Sequence, residues 1–307
     1  MTVGAFLHQF KSNRLPAPVL GQVFAQGLYS GSGSFSVSPG INLTSNGGAV
    51  WYKRDSGSSS HRFAFTSGQV VYPDDPDPAN TTGESVSYGT AGFSVNGGSA
   101  ANGNGFYSIF RNARRFVDVQ TFVLGSGNNV INHNLGVTPG VVFLKCTTTT
   151  DSWYCFFPVV SLSECVKLDI NESATNRSLV SVSNSQITVS STTSVTAIGH
   201  TYVAYIFAND TEGDGIIRSG QYVGQDFAQQ ISIGWNPQWI IIKNRSSSDG
   251  WFLRNSMMPA DSYMSPDGYG GYNMIYGFSM NASGVSVPVS TIVNSSGNLY
   301  NWLAVRA

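Results

Sequence analysis

Charge is scarce in this sequence. Acidic and basic residues make up 11% of its 307 positions, against about 25% in an ordinary soluble domain, and 16 basic residues stand beside 17 acidic ones. So neutral a chain has no basic stripe for a nucleic-acid backbone and no polybasic patch for an anionic membrane. Cysteine is sparse as well: Cys146, Cys155 and Cys165 are the only three. An odd count without matching His or Cys spacings fits neither a disulfide framework nor a zinc site. Buried free thiols are expected, with a bridge between Cys146 and Cys155 across a hairpin as the alternative. No apolar run approaches a membrane span, and Met1-Thr-Val-Gly-Ala-Phe-Leu-His8 has no basic region before its short apolar stretch. Neither membrane insertion nor a secretory signal is expected.

Signatures of catalysis are missing too. There is no Gly-X-Ser-X-Gly elbow, no phosphate loop and no His-Glu-X-X-His, and His8, His61, His133 and His200 are scattered singly. The expectation is a protein that is not an enzyme, with no catalytic residue, no cofactor and no metal site. Acidic groups at Asp74, Asp75, Asp77 and at Asp210-Thr-Glu-Gly-Asp214 offer oxygens for calcium but lack the rhythm of an EF-hand loop. They are read as solvated turns.

What the sequence has is a long repeat. A short apolar strand ending in lysine, a polar turn and an aromatic strand recur three times. They read Ala49-Val-Trp-Tyr-Lys53 with His61-Arg-Phe-Ala-Phe65, Val141-Val-Phe-Leu-Lys145 with Trp153-Tyr-Cys-Phe-Phe157, and Trp239-Ile-Ile-Ile-Lys243 with Trp251-Phe-Leu-Arg254. Lys145 follows Lys53 by 92 positions and Lys243 follows Lys145 by 98, a period that marks tandem domains. Each copy opens on an aromatic strand before a small-residue turn, at Tyr29, Phe122 and Tyr222. Each closes on another, Gly105-Phe-Tyr-Ser-Ile-Phe-Arg111, Thr201-Tyr-Val-Ala-Tyr-Ile-Phe207 and Leu299-Tyr-Asn-Trp-Leu-Ala-Val305. Period-two segments bounded by Gly, Pro, Asn and Ser fill the remainder. The fold class expected is all-β: three tandem β-sandwich-like domains at 28–117, 118–212 and 213–307 behind a short N-terminal segment, 1–27.

That segment differs from the rest. Ala5 to Lys11 suits a short helix with Phe6, Leu7 and Phe10 on one face, and Leu15-Pro-Ala-Pro18 suits an extended tether. Phe6, Leu7, Phe10 and Leu15 are the candidate docking residues. Candidate recognition loops are the longest polar insertions: Tyr72, Asp74, Asp75 and Asp77 in the first copy, and Met257, Tyr263, Tyr269 and Tyr272 in the third. Trp235, Tyr269, Tyr272 and Tyr276 suit either packing between subunits or stacking on sugar rings. The repeated lysine is read as structural, its stem along the sheet and its ammonium at an edge that discourages aggregation.

Pro237-Gln-Trp-Ile-Ile-Ile-Lys-Asn-Arg-Ser246, Asp249-Gly-Trp-Phe252, Gly199-His-Thr-Tyr-Val-Ala-Tyr-Ile-Phe-Ala208 and Val50-Trp-Tyr-Lys53 resemble a family of tailed-bacteriophage structural proteins known as tail fibers, common among phages of cyanobacteria and marine bacteria. The resemblance spans roughly residues 28 to 307. It implies a virion component, assembled in the host cytoplasm as a homo-oligomer, most often a trimer, and attached to other virion proteins through its N-terminal segment. A host-surface glycan is a further partner to consider, and no catalytic residue is implied. A tail or neck fiber is the leading expectation. The alternatives are a capsid decoration or head-to-tail neck protein, and a carbohydrate-binding or carbohydrate-active appendage.

Overall fold

The computed structural model describes residues 15–80 and 83–307. Over these the chain is almost entirely antiparallel β-structure, built as three copies of one two-sheet unit. In the first copy an opening strand Phe24–Ser32, a lysine strand Gly48–Arg54, its hairpin partner Arg62–Phe65, a short strand Val70–Val71 and a closing strand Asn102–Arg111 share one sheet. The spatial order is opening, closing, lysine, hairpin partner, short strand. The second copy repeats it with Val117–Val123, Pro139–Cys146, Tyr154–Phe156, Cys165–Lys167 and Thr201–Ala208. The third has the first four positions, in Ile217–Val223, Pro237–Asn244, Trp251–Asn255 and Leu299–Arg306. Each main sheet is faced by a three-stranded one: Ser34–Val37, Phe93–Gly97 and Glu84–Tyr88 in the first copy, then Asn128–Asn132, Gln186–Ser190 and Ser181–Val182, then Gln229–Ser232, Gly284–Val287 and Ser279–Asn281.

The chain enters the first sheet earlier than its sequence suggests. Residues 24–27, expected within the N-terminal segment, pair with the closing strand, Phe24 opposite Phe110 and Gly27 opposite Tyr107. A single helical turn, Leu20–Val23, precedes them. Among the docking residues, Phe6, Leu7 and Phe10 lie outside the described residues, and Leu15 is exposed.

The lysine strands read as unbroken apolar runs because both their faces are covered. In the first copy Val50 and Tyr52 face the outer three-stranded sheet, within a cluster holding Phe35, Phe93 and Val95. Ala49 and Trp51 point the other way, into a cluster drawn from all three copies. In the third copy Ile240 and Ile242 face outward and Trp239 and Ile241 inward. Each main sheet is therefore a middle layer between its own outer sheet and a central core.

Aromatic contacts in that core link every pair of copies. Phe63 of the first stacks on Tyr205 of the second, centroids 4.1 Å apart, and the Tyr205 hydroxyl donates to the Phe63 carbonyl at 3.2 Å. Phe143 of the second meets Trp251 of the third at 6.3 Å. Trp239 of the third meets Phe110 and Trp51 of the first at 5.3 and 6.3 Å. Copy one touches two, two touches three, and three touches one, so the tandem array closes into a ring. Truncating one of these buried rings to alanine costs about 3–5 kcal/mol.

Candidate functional site

The three repeated lysines sit at the seams of this ring. Their expected position at a sheet edge is wrong: each lysine strand lies inside its sheet, between the closing strand and the hairpin partner, and Lys53, Lys145 and Lys243 are 0% exposed. Alternation along the strand places each lysine on the same face as Trp51, Phe143 or Ile241, toward the central core. Lys145 Nζ donates to the carbonyls of Pro76 in the first copy, at 2.6 Å, and of Asp151 in its own turn, at 2.7 Å. Lys53 Nζ donates to the Tyr269 carbonyl of the third copy at 3.2 Å. Lys243 Nζ donates to the Asp249 carbonyl, six residues on as Asp151 is from Lys145.

Neighbouring backbone repeats the pattern. The Ala79 amide of the first copy donates to the Thr147 carbonyl of the second at 3.0 Å, and the Ala174 amide of the second donates to the Arg245 carbonyl of the third at 2.8 Å. Both acceptors lie two residues beyond a repeated lysine. The Ser59 amide of the first copy and Lys53 both reach the Tyr269 carbonyl of the third, as the Asp151 amide and Lys145 both reach that of Pro76. One seam design is thus used three times, head to tail, and a head-to-tail interface that closes makes a ring.

A tryptophan indole bonds across two of the seams. The indole N–H of Trp153 donates to the Tyr72 carbonyl of the first copy, and that of Trp251 to the Lys167 carbonyl of the second, both at 2.7 Å. At the third seam the equivalent residue is His61. It accepts from Trp51 Nε1 through Nδ1 at 3.0 Å, and its other nitrogen lies against the Ser265 backbone of the third copy without a well-formed hydrogen bond.

Burial sets the electrostatics. It lowers all three lysines to about 8, opposed most strongly by Asp74 for Lys53, Asp169 for Lys145 and Asp267 for Lys243. The same burial pushes the Asp74 carboxyl up to about 7 and raises Asp169 and Asp267. These aspartates occupy one place in the three copies, two residues before the carbonyl that the seam uses at Pro76 and Tyr269. A lysine close to its neutral form is a nucleophile by nature, but with no exposed surface these meet no solute. Their chemistry is that of a clasp: Lys53 and Lys145 hold carbonyls across a seam, and Lys243 holds the turn of its own copy.

The candidate recognition residues fall differently from one another. Tyr72 is half-buried beneath the Arg62 guanidinium, 5.4 Å from its ring centroid. Asp74 is buried, and Asp77 accepts from the Thr150 hydroxyl of the second copy at 3.3 Å. The stretch around Asp75 is therefore a seam element. Tyr263 is buried, Tyr272 packs against the central core, and Met257 and Tyr269 are exposed. Trp235 is buried in the third copy's outer core, while Tyr276 is exposed. Asp210 and Asp214 converge on the Arg115 guanidinium, Asp210 through two bonds of 2.7 and 3.1 Å. Arg115 also donates to the Leu15 carbonyl at 3.0 Å, and the Ala17 amide donates to Asp214 Oδ2 at 3.0 Å. The tether is thereby fixed to the link between the first and second copies, at Arg115, and to the start of the third, at Asp214. All three cysteines are free and buried.

Sequence reasoning passed over Asp169, Asp267 and Arg115. The aspartates carried a signal: Asp74, Asp169 and Asp267 follow the repeated lysine by 21, 24 and 24 positions. Arg115 carried none, since its partners lie about a hundred residues away.

The layered sandwiches and the seams together define the class: an all-β protein of three homologous sandwich copies closed on themselves. The chain belongs to the family described as Domain of unknown function (DUF7483), whose model matches residues 96–306. That match takes in the first copy's closing strand and the whole of the second and third copies. No curated protein matches the chain.

Proposed function

We propose that this protein is a non-enzymatic structural component of a tailed-bacteriophage particle, a rigid piece of a tail or neck fiber attached to other virion proteins through its N-terminal residues. The observation that carries this reading is the threefold reuse of one seam, with a buried lysine beside each and a core common to all copies. Such a body resists bending at its domain junctions, as an appendage that bears load must. The sequence resemblance to tail fibers supports the same reading. The threefold organisation expected of a fiber homotrimer is, on this account, supplied within one chain. Any further association between chains uses surfaces other than the seams.

The test is genetic and structural. Deleting residues 1–14 from the encoding phage leaves the described body whole, and particles are then purified and assayed for the protein by mass spectrometry. The reading expects the protein in wild-type particles and its loss from the deletion particles while the soluble protein remains folded. Absence from wild-type particles would sink the virion assignment, and normal incorporation of the deleted form would sink the docking assignment.

A further inference from the structure

Opposite the clasps, at the end where the chain passes from copy to copy, the ring carries three clefts of similar size that share one corner of the repeat. Each lies where a closing strand ends against the turn that leads into the lysine strand. The Asn112 amide donates to the Gly47 carbonyl at 3.2 Å, the Asn209 amide to Thr138 at 3.2 Å, and the Ala307 amide to Asn236 at 2.7 Å. The clefts there measure about 470, 500 and 480 Å³ in the first, second and third copies, within the range of small-molecule sites. In the first two, the asparagine side chain also ties the next copy's opening strand, Asn112 Oδ1 accepting from Val119 at 3.0 Å and Asn209 Oδ1 from Ser219 at 3.1 Å. At the third, Gln26 of the first copy donates to Gln238 Oε1 at 3.2 Å. Every cleft therefore sits beside a junction between copies and is fixed by the ring.

The lining selects a ligand class. No charged side chain lines the first or second cleft; their walls are hydroxyls and carboxamides such as Thr66, Gln120 and Thr121, then Thr138, Asn184 and Thr211. The third has Arg254 and Asp261, one of each sign, and the Arg254 guanidinium is occupied by the carbonyls of Pro259 and Ser262. Anions find no free cation here, and apolar surface such as Phe65 and Val119 in the first cleft and Pro237 and Phe278 in the third alternates with the polar groups, as the two kinds of face of a sugar ring require. Groups that both donate and accept suit neighbouring hydroxyls, which do the same.

We propose that these clefts are three binding sites for neutral carbohydrate, one per copy, the third of them bordered by the loop that follows Met257. The proposal goes beyond the appendage reading and stands without it. Shallow polar sites bind single sugars weakly, and three in fixed positions on one rigid body gain by avidity on a repeating polysaccharide.

The test uses the full chain. Saturation-transfer NMR is run with methyl glucoside, methyl galactoside, methyl mannoside and N-acetylglucosamine, with glucose 6-phosphate and glucuronate as charged comparisons. Exposed lining residues, one per cleft, are then filled by Thr121→Trp, Thr138→Trp and Ser279→Trp, and binding to a neutral polysaccharide of the responding sugar is measured. The expected result is transfer to at least one neutral sugar and weak transfer to the charged ones. The triple variant should lose the signal and at least tenfold in polysaccharide affinity, each single variant losing less. Should a variant fail to fold, amide shift mapping on the unaltered protein serves instead, with changes expected at Asn112, Asn209 and Ala307. Silence from every neutral sugar at millimolar concentration, preference for the charged ones, retained binding in a folded triple variant, or shifts away from these residues would each overturn the proposal.

Discussion

The indole N–H of Trp51 donates to Nδ1 of His61 at 3.0 Å, and His61 occupies the seam position that Trp153 and Trp251 hold elsewhere. The joint between the third and first copies is thus the one with a titratable ring at that position. His61 is fully buried, and its pKa lies well below the ordinary 6.5, chiefly through burial and then through Lys53 and Arg62. A base with a lowered folded pKa leaves the unfolded chain holding more protons below 6.5. Its contribution is intact above that pH and lost as pH falls, by up to about 1.4 kcal/mol per pH unit. Asp74, raised to about 7, works in the opposite sense as pH falls from 7 toward 4. The comparison is therefore with His61→Gln, which keeps a hydrogen-bonding group and does not titrate. Urea unfolding from pH 7.5 to 5 should show wild type losing stability relative to the variant; parallel profiles would count against a neutral, buried His61.

Replacing Lys145 by methionine keeps the stem and removes the donor shared by the Pro76 and Asp151 carbonyls. Two partly buried acceptors lose this donor, the Pro76 carbonyl keeping only the Asp151 amide, and Asp169 loses the nearby positive charge. The expected cost is about 2–5 kcal/mol. Wild-type stability should also rise between pH 8 and 10, because the unfolded chain keeps a lysine proton that the folded one has given up. Lys145→Met should show a smaller rise. A Tm unchanged by the substitution would mean that the lysine is solvated rather than clasped.

Cys146, Cys155 and Cys165 are each 2% exposed or less, and burial raises the thiols of Cys155 and Cys165. An aromatic disulfide reagent at pH 8 should therefore find no fast-reacting thiol in the folded protein and three after denaturation. Rapid reaction of one thiol before unfolding would show that the core around the second copy opens.

Much of this architecture was legible before the coordinates. The return of Lys53, Lys145 and Lys243 with their aromatic partners marked three β-units, because a strand buried on both faces must be an apolar run and its register survives loop changes. The seam was not legible from the same letters. A lysine after four apolar residues looks the same at a sheet edge as beneath a neighbouring domain, and only contact across copies tells the two apart. Asp169 and Asp267 were hidden because their loops differ in length and composition from the proline-rich one around Asp74. The clefts at Gly47, Thr138 and Asn236 were hidden for a related reason: their walls come from segments far apart in sequence, and in the first from two copies at once.

The central claim is that three tandem copies close on themselves, and small-angle X-ray scattering of the purified chain at low concentration tests it most directly. A closed body of 307 residues has a radius of gyration of about 19 Å, whereas three such domains in a row give roughly 29 Å. The account predicts the smaller value, unchanged on dilution. A monomer near the larger value would contradict ring closure.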